Sequence, residues 1–115
     1  MGFLRKSEIR EMTEPERAYI GAMIDAEGWV GKMKNRVNLW RVFISNTDPE
    51  IISAILRATG GGTVRADSYS VQGKSVLGTK PIFTWGTSRQ NNLYSLVDQC
   101  ASYSMKLQRI ERNIT

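Results

Sequence analysis

Residues 18–30 read AYIGAMIDAEGWV, Ala18 to Val30, and the parsing of the whole chain follows from this stretch. Just upstream, Thr13-Glu14-Pro15-Glu16 forms a capping box. Thr13 is the N-cap, Glu16 stands where its side chain can reach back, and Pro15 sits in the first turn, where its missing N–H does no harm. The pattern predicts a helix from about Glu14 to Ala26, broken by Gly28. Its last turn carries Asp25 and Glu27. A helix C-terminus bears partial negative charge and favours Lys, Arg or His, so acids at this end call for a compensating cation or a use. Ala18, Ala22 and Ala26 recur at four-residue spacing, with Gly21 and Asp25 beside them. Such a stripe lets a second helix approach closely. Glycine inside a helix costs about 1 kcal/mol relative to alanine, so Gly21 points to a close backbone contact. No other predicted helix has a matching stripe, and pairing with its own copy about a two-fold axis is the simplest expectation. Ala18, Gly21, Ala22, Asp25 and Ala26 would then form a dimer interface. Two Glu27 carboxylates and helix-end carbonyls, that of Ala26 among them, would make a hard-oxygen site suited to Mg²⁺ or a similar divalent cation.

Outward from this helix come two extended segments. Trp29–Lys34 is short and alternating, Val37–Ser45 is rich in β-branched and aromatic residues, and Asn35-Arg36 suits a tight turn. In the second segment Trp40, Val42 and Ile44 share one face; Leu39, Arg41, Phe43 and Ser45 share the other. Asp48 as N-cap, Pro49 at the first position and Gly60-Gly61 at the end frame a second helix, with Ile51, Ile52, Ile55 and Leu56 as its apolar stripe. Gly62–Ser68 and Pro81–Thr87 make a second strand pair, joined by the polar loop YSVQGKSVLGTK. Ser88 can cap a third helix, Arg89 to Cys100, and a last helical segment is expected from about Ser104 to Asn113. The order is αββ twice, then helix. This αββαββα pattern predicts one α+β domain over residues 1–115, with helices on one face of an antiparallel sheet and the other face free to meet something large.

Composition removes several functions. The 115 residues suffice for one compact domain. No apolar run approaches the ~20 residues that span a bilayer, so no membrane partner is expected, and the first residues, MGFLRKSEIREMT, lack the apolar core of a signal peptide. The chain has no histidine and a single cysteine, Cys100. That excludes a Ser-His-Asp triad, His general acid–base catalysis and His or multi-Cys metal sites. Catalysis must use carboxylates, lysine or an oxygen-bound metal. The formal charge of +5 and pI of about 9.7 suit an anionic partner, nucleic acid among the commonest.

Ile20-Gly21-Ala22-Met23-Ile24-Asp25-Ala26-Glu27-Gly28 resembles the signature of the LAGLIDADG homing endonucleases. The Ile, first acid, small residue, second acid and final Gly fall in register. Ile44-Ser45-Asn46-Thr47-Asp48 and Lys106-Leu107-Gln108 are similar to two further segments of the family, and the doubled αββ unit is its core fold. The resemblance covers nearly all of residues 13–114. It implies a saddle-shaped sheet lying in the DNA major groove and, from the single motif, a homodimer joined through the first helix. It further implies a double-strand endonuclease, typically carried by a mobile intron, acting wherever in the cell its target DNA lies. Glu27 matches the catalytic, metal-binding acid and Asp25 the acid at the dimer interface. Asn46 matches a polar position near metal and water, and Lys106 a base that stabilises charge at the scissile phosphate.

Strand alternation supplies the DNA-facing candidates. Arg41 and Ser45 face outward in the second strand. In the third, Val64 and Ala66 should face the helices and Arg65 and Asp67 the DNA. Counting from Glu27 turns Lys32 and Lys34 inward, which is costly for lysine, so a bulge near Gly31 is expected to return both to the DNA side. Lys74 and Lys80, in the long loop, are candidates for flanking contacts. The alternative readings are a non-cleaving DNA- or RNA-binding protein on the same fold, such as a maturase or regulator, and a small module binding an acidic protein.

Overall fold

The computed structural model of the chain describes residues 8–33, 39–69 and 80–110. Its elements are α1 (Glu14–Glu27), β1 (Gly28–Lys32), β2 (Trp40–Asn46), α2 (Pro49–Thr59), β3 (Thr63–Tyr69), β4 (Lys80–Thr87) and α3 (Gln90–Cys100). Two 3-10 turns, Ala101–Tyr103 and Leu107–Arg109, close the described chain. The fold class is α+β, and the αββαββα order of helices and strands is as expected. The strands form one antiparallel sheet in the order β1-β2-β4-β3.

Local chemistry explains the first two helices. The capping box closes as the sequence suggests: Glu16 N–H donates to Thr13 Oγ1 (3.3 Å), and Thr13 N–H donates to Glu16 Oε1 (2.9 Å). At the far end of α1, Gly28 is extended rather than left-handed and opens β1 directly. Its backbone lies so near the last turn that a Cβ would stand 2.8 Å from the Ile24 carbonyl oxygen. For α2, the Asp48 side chain accepts from Glu50 N–H and Gly60 adopts the left-handed conformation at φ 70°, which favours glycine.

The helices cover one sheet face. Val30, Trp40, Val42, Ile44 and Trp85 are buried there against Ile20 and Ile24 of α1, Ile52 and Ile55 of α2, and Leu93 and Leu96 of α3. Each fully buried side chain of this size contributes about 1.5–3 kcal/mol. Trp85 keeps its indole N–H satisfied on the Gly61 carbonyl at 2.8 Å. The segment before α1 also joins the core through Ile9 and Met12. The Ile9 and Met12 N–H groups donate to Asn92 and Gln99 of α3. Cys100 is buried, and burial pushes its thiol up to about 11, so it remains a neutral packing group.

Several expectations change. Within α2's stripe, Ile52 and Ile55 are buried, whereas Leu56 is exposed and Ala58 and Thr59 take its place inward. Ser88 does not cap α3. Arg89 is the N-cap residue and makes no side-chain cap, while Thr87 Oγ1 accepts from both Arg89 N–H and the Asn92 side chain. Among the described residues no α-helix runs from Ser104, and the end of the expected segment, residues 111–113, lies outside them. Ser104 is extended, and 3-10 turns lie on either side. β1 pairs one-to-one with β2 from Gly28↔Ile44 to Lys32↔Trp40, so it has no bulge at Gly31. Lys32 therefore lies on the helix side of the sheet. It escapes burial by extending over the exposed rim, its ammonium 5.5 Å from the centroid of the Trp40 ring. The predicted turn at Asn35-Arg36 lies outside the described residues, as does most of the long loop. The ends of that loop, Tyr69 and Lys80, belong to paired strands instead.

Gly21 does mark a close contact, but the contact is within the chain. A Cβ on Gly21 would meet Tyr103 Cβ at 2.5 Å and the Tyr103 carbonyl at 3.0 Å. The Tyr103 hydroxyl donates to Glu14, which holds the first 3-10 turn along α1. Gly21→Ala is expected to lose about 1–3 kcal/mol to overpacking, outweighing the ~1 kcal/mol gained in helix propensity. A urea unfolding midpoint below that of the wild type checks this.

Candidate active site at the end of the first helix

Three segments distant in sequence meet at the carboxyl end of α1. Glu27 is the last helical residue and is exposed. Because Gly28 pairs with Ile44, the residue before it comes level with the end of β2, where Asn46 stands. Asn46 Nδ2 donates to Glu27 Oε1 at 2.7 Å. The other end of the same amide is also held: Asn46 Oδ1 accepts from Asp48 N–H at 2.8 Å. Asp48 in turn caps α2. The Glu27 carboxylate is therefore oriented by an amide that the β2–α2 turn fixes in place.

Asp25 belongs to a different contact. Its Oδ1 accepts from the Ser104 hydroxyl (2.7 Å) and Lys106 N–H (3.0 Å), and its Oδ2 accepts from Met105 N–H (3.0 Å). Burial pushes the Asp25 carboxyl upward, but the N–H groups of Lys106 and Met105 and the Ser104 hydroxyl together hold it below the usual carboxylate range. Lys106 follows from this turn. Its ammonium donates to the Gly28 carbonyl at 2.8 Å. The cation missing from the last turn of α1 is thus brought by a residue 78 positions away. This meets part of the electrostatic demand raised by two acids at a helix C-terminus.

The residues named for a dimer interface divide. Gly21 lies beneath Tyr103, and Asp25 is engaged within the chain, so the contacts of both are intramolecular. Ala18 is half-buried, while Ala22 and Ala26 are exposed along α1. Oxygen donors for a metal also divide. Both Asp25 oxygens already accept from chain donors, which suits that residue poorly to a cation. Glu27 offers an exposed carboxylate, with Ala26 beside it. Among the described residues no cluster of three or more Asp, Glu, His or Cys side chains assembles. The donor chemistry of one chain therefore fits Mg²⁺ only in the form that cation commonly takes: one or two carboxylates, with water and phosphate completing the set.

The second sheet face has no described element packed on it. Arg41, Phe43 and Ser45 of β2 lie there, as expected, with Thr84 of β4 and Thr63 and Arg65 of β3 in register. Ser45 and Thr84 share a hydrogen bond at 2.8 Å. Val64 and Ala66 point to the helix side but are exposed, because β3 is an edge strand. Asp67 occupies the β3 position paired with Ile82, and Lys80 begins β4 opposite Tyr69. Lys34 and Lys74 lie outside the described residues. Lys32 is on the opposite face from Arg41, contrary to expectation.

Sequence reasoning missed how the aromatic rings would lie. Trp29, 43 % exposed, stacks on Phe43 with centroids 5.2 Å apart, and the Arg41 guanidinium sits 5.0 Å from the Phe43 ring centroid. Gly31 and Gly86 leave room for them: a Cβ at Gly31 would meet the Trp29 indole at 2.6 Å, and one at Gly86 would meet Phe43 Cβ at 2.9 Å. Glycines beside outward aromatics were the available signal. Ser104 was missed too. Its hydroxyl both donates to Asp25 and accepts from Leu107 N–H, a helix-cap pattern that the sequence displays but assigns to a full helix.

No family model matches the chain, and no curated protein matches it either. Among the described residues no helix is long and apolar enough to cross a membrane.

The Asp25 contacts have a pH consequence. A carboxyl depressed in the folded state adds stability above its unfolded value, near 3.8, and that contribution disappears as pH falls through the folded value. The stability difference between wild type and Asp25→Asn should be constant at neutral pH and shrink in acid below that window. Urea midpoints measured across the acid range check it.

Proposed function

We propose that the chain is a site-specific DNA endonuclease of the LAGLIDADG homing type, working as a homodimer joined through α1 with Mg²⁺ or another divalent cation. One observation carries the reading: Glu27, Asn46 and Lys106, from three separate segments, meet at the end of the helix that bears the motif. Two of the three lie outside that motif. Support also comes from the αββαββα order, the β1-β2-β4-β3 sheet and the open face beside the site.

On this reading the open face lies against duplex DNA, in the saddle arrangement of the family. Arg41 and Arg65 contact phosphates, which supplies affinity but little sequence information. Ser45 and Thr84 offer hydroxyls to base edges, and the Trp29–Phe43 stack offers an apolar surface to thymine methyl groups. Glu27 from each subunit would hold the divalent cation, with Asn46 fixing the carboxylate's direction. When bound, the cation stabilises charge on the attacking and leaving oxygens of the phosphodiester. Lys106 presents its ammonium to the same developing charge and forms hydrogen bonds that strengthen as the charge grows. A chain without histidine can carry out hydrolysis in this way.

The test starts by retaining duplexes from a randomised pool on the protein without metal. Retained sequences are cloned into supercoiled plasmid and offered with Mg²⁺. Wild type should linearise the plasmid, whereas Glu27→Gln should bind comparably and cleave at least about a hundredfold more slowly, the scale for losing one electrostatic stabiliser. Retention by the wild type without cleavage would refute the enzyme and leave a nucleic-acid-binding protein of the same fold. A monomeric mass in solution at working concentration would refute the two-fold site.

Salt dependence gives a separate check. Because the dimer carries each arginine twice, Arg41→Ala and Arg65→Ala should each reduce the slope of log affinity against log salt by about 2, as measured by fluorescence anisotropy with a retained duplex.

A further inference from the structure

The geometry points to Asp25 as a positioning residue: its carboxylate clamps the Ser104–Lys106 turn and so sets the Lys106 ammonium at the end of α1 that carries Glu27. The catalytic consequence rests on the proposed nuclease, but the clamp is a property of the folded chain.

Buried Ser104 and Leu107 flank this turn, but the N–H groups of Met105 and Lys106 between them both donate to Asp25. The turn lies between two 3-10 turns of three residues each, Ala101–Tyr103 and Leu107–Arg109, with few local backbone bonds. Met105, at its middle, is 74 % exposed, so burial does not fix it there. Asp25 reaches the backbone N–H of both Met105 and Lys106, and the Ser104 hydroxyl besides. Leu107, buried just beyond, fastens the far side.

Lys106 is then gripped at both ends by one helix terminus. Asp25 holds its backbone N–H, and the carbonyl of Gly28, three positions further along, holds its ammonium. A lysine side chain has several rotatable bonds and ordinarily samples many positions. Fixing its backbone and its head on the same rigid element leaves little room for that sampling. The clamp needs a carboxylate. All three partners donate to Asp25, so an asparagine would turn an Nδ2 donor toward other donors.

The experiment uses the full chain and needs no DNA for its first reading. Lysines are acetylated with a limiting N-hydroxysuccinimide ester and quantified by peptide mass spectrometry, with exposed Lys32 as the internal reference. In the wild type, Lys106 should react several-fold more slowly than Lys32. Asp25→Asn should abolish that difference while Lys32 stays unchanged, and Asp25→Glu should restore part of it. Ser104→Ala, which removes one of the three donors to Asp25 and also the acceptor of Leu107 N–H, should give an intermediate loss and serves if Asp25→Asn does not fold. Unchanged protection of Lys106 in the folded variants would overturn the clamp.

The second reading is the single-turnover cleavage rate at saturating enzyme. Asp25→Asn should lose roughly a hundredfold, the cost of misplacing a catalytic group by about 1 Å, with duplex binding unchanged. Lys106→Met should lose a similar factor, and the double variant no more than either alone. Additive losses would overturn the positioning role. If the wild type fails to cleave, the nuclease reading falls, while the acetylation result still decides the clamp.

Discussion

The carboxylate of Asp25 accepts hydrogen bonds from a turn 80 residues further along the chain, and the end of α1 is organised around that contact. Beside it, the segment after α3 is held by the Tyr103–Glu14 hydrogen bond and by the buried Leu107 and Ile110. With it, Tyr103 lies along Gly21, Ser104 is buried, and Lys106 reaches the Gly28 carbonyl. The two acids at the helix end therefore do different work. Asp25 is consumed in holding the chain to itself, and Glu27 remains exposed. That division follows from helix geometry: residues two apart point to different sides of a helix. One acid meets the closing segment, and the other meets the end of β2.

The sheet makes a comparable division. Its strands alternate, so one face takes Val30, Val42, Ile44 and Trp85 and is closed by the helices. The other takes Trp29, Arg41, Phe43, Ser45, Thr84 and Arg65. Aromatic rings lie flat there, over glycines, with cations beside them. This partly apolar face, which carries Arg41 and Arg65, adjoins the oriented carboxylate of Glu27 on a chain of net positive charge.

How much of this could be read in advance depended on how local the cause was. α1 and α2 were legible almost to the residue because their starts are chemical signals within four residues: Thr13 with Glu16, and Asp48 with Pro49. The outward placement of Arg41, Ser45 and Arg65 was legible because alternation in a strand is strict. The rim position of Lys32 was not. The cost of burying lysine suggested a bulge, but the side chain is long enough to leave the covered face over Trp40 without one. The start of α3 was misread because Thr87, not Ser88, turned out to face Asn92.

The sequence by itself determined the α+β class, the number of strands, the sheet face left open and the acids at the end of α1. Each of these rests on periodicity or on contacts a few residues apart. Only the tertiary structure decided which partner Gly21 admits, why Asp25 is charged, and where Lys106 places its ammonium. Those outcomes depend on a turn from the far end of the chain packing against the first helix. No local pattern encodes such a contact, because hydrogen bonds between residues some 80 positions apart form only once the sheet and helices have brought them together.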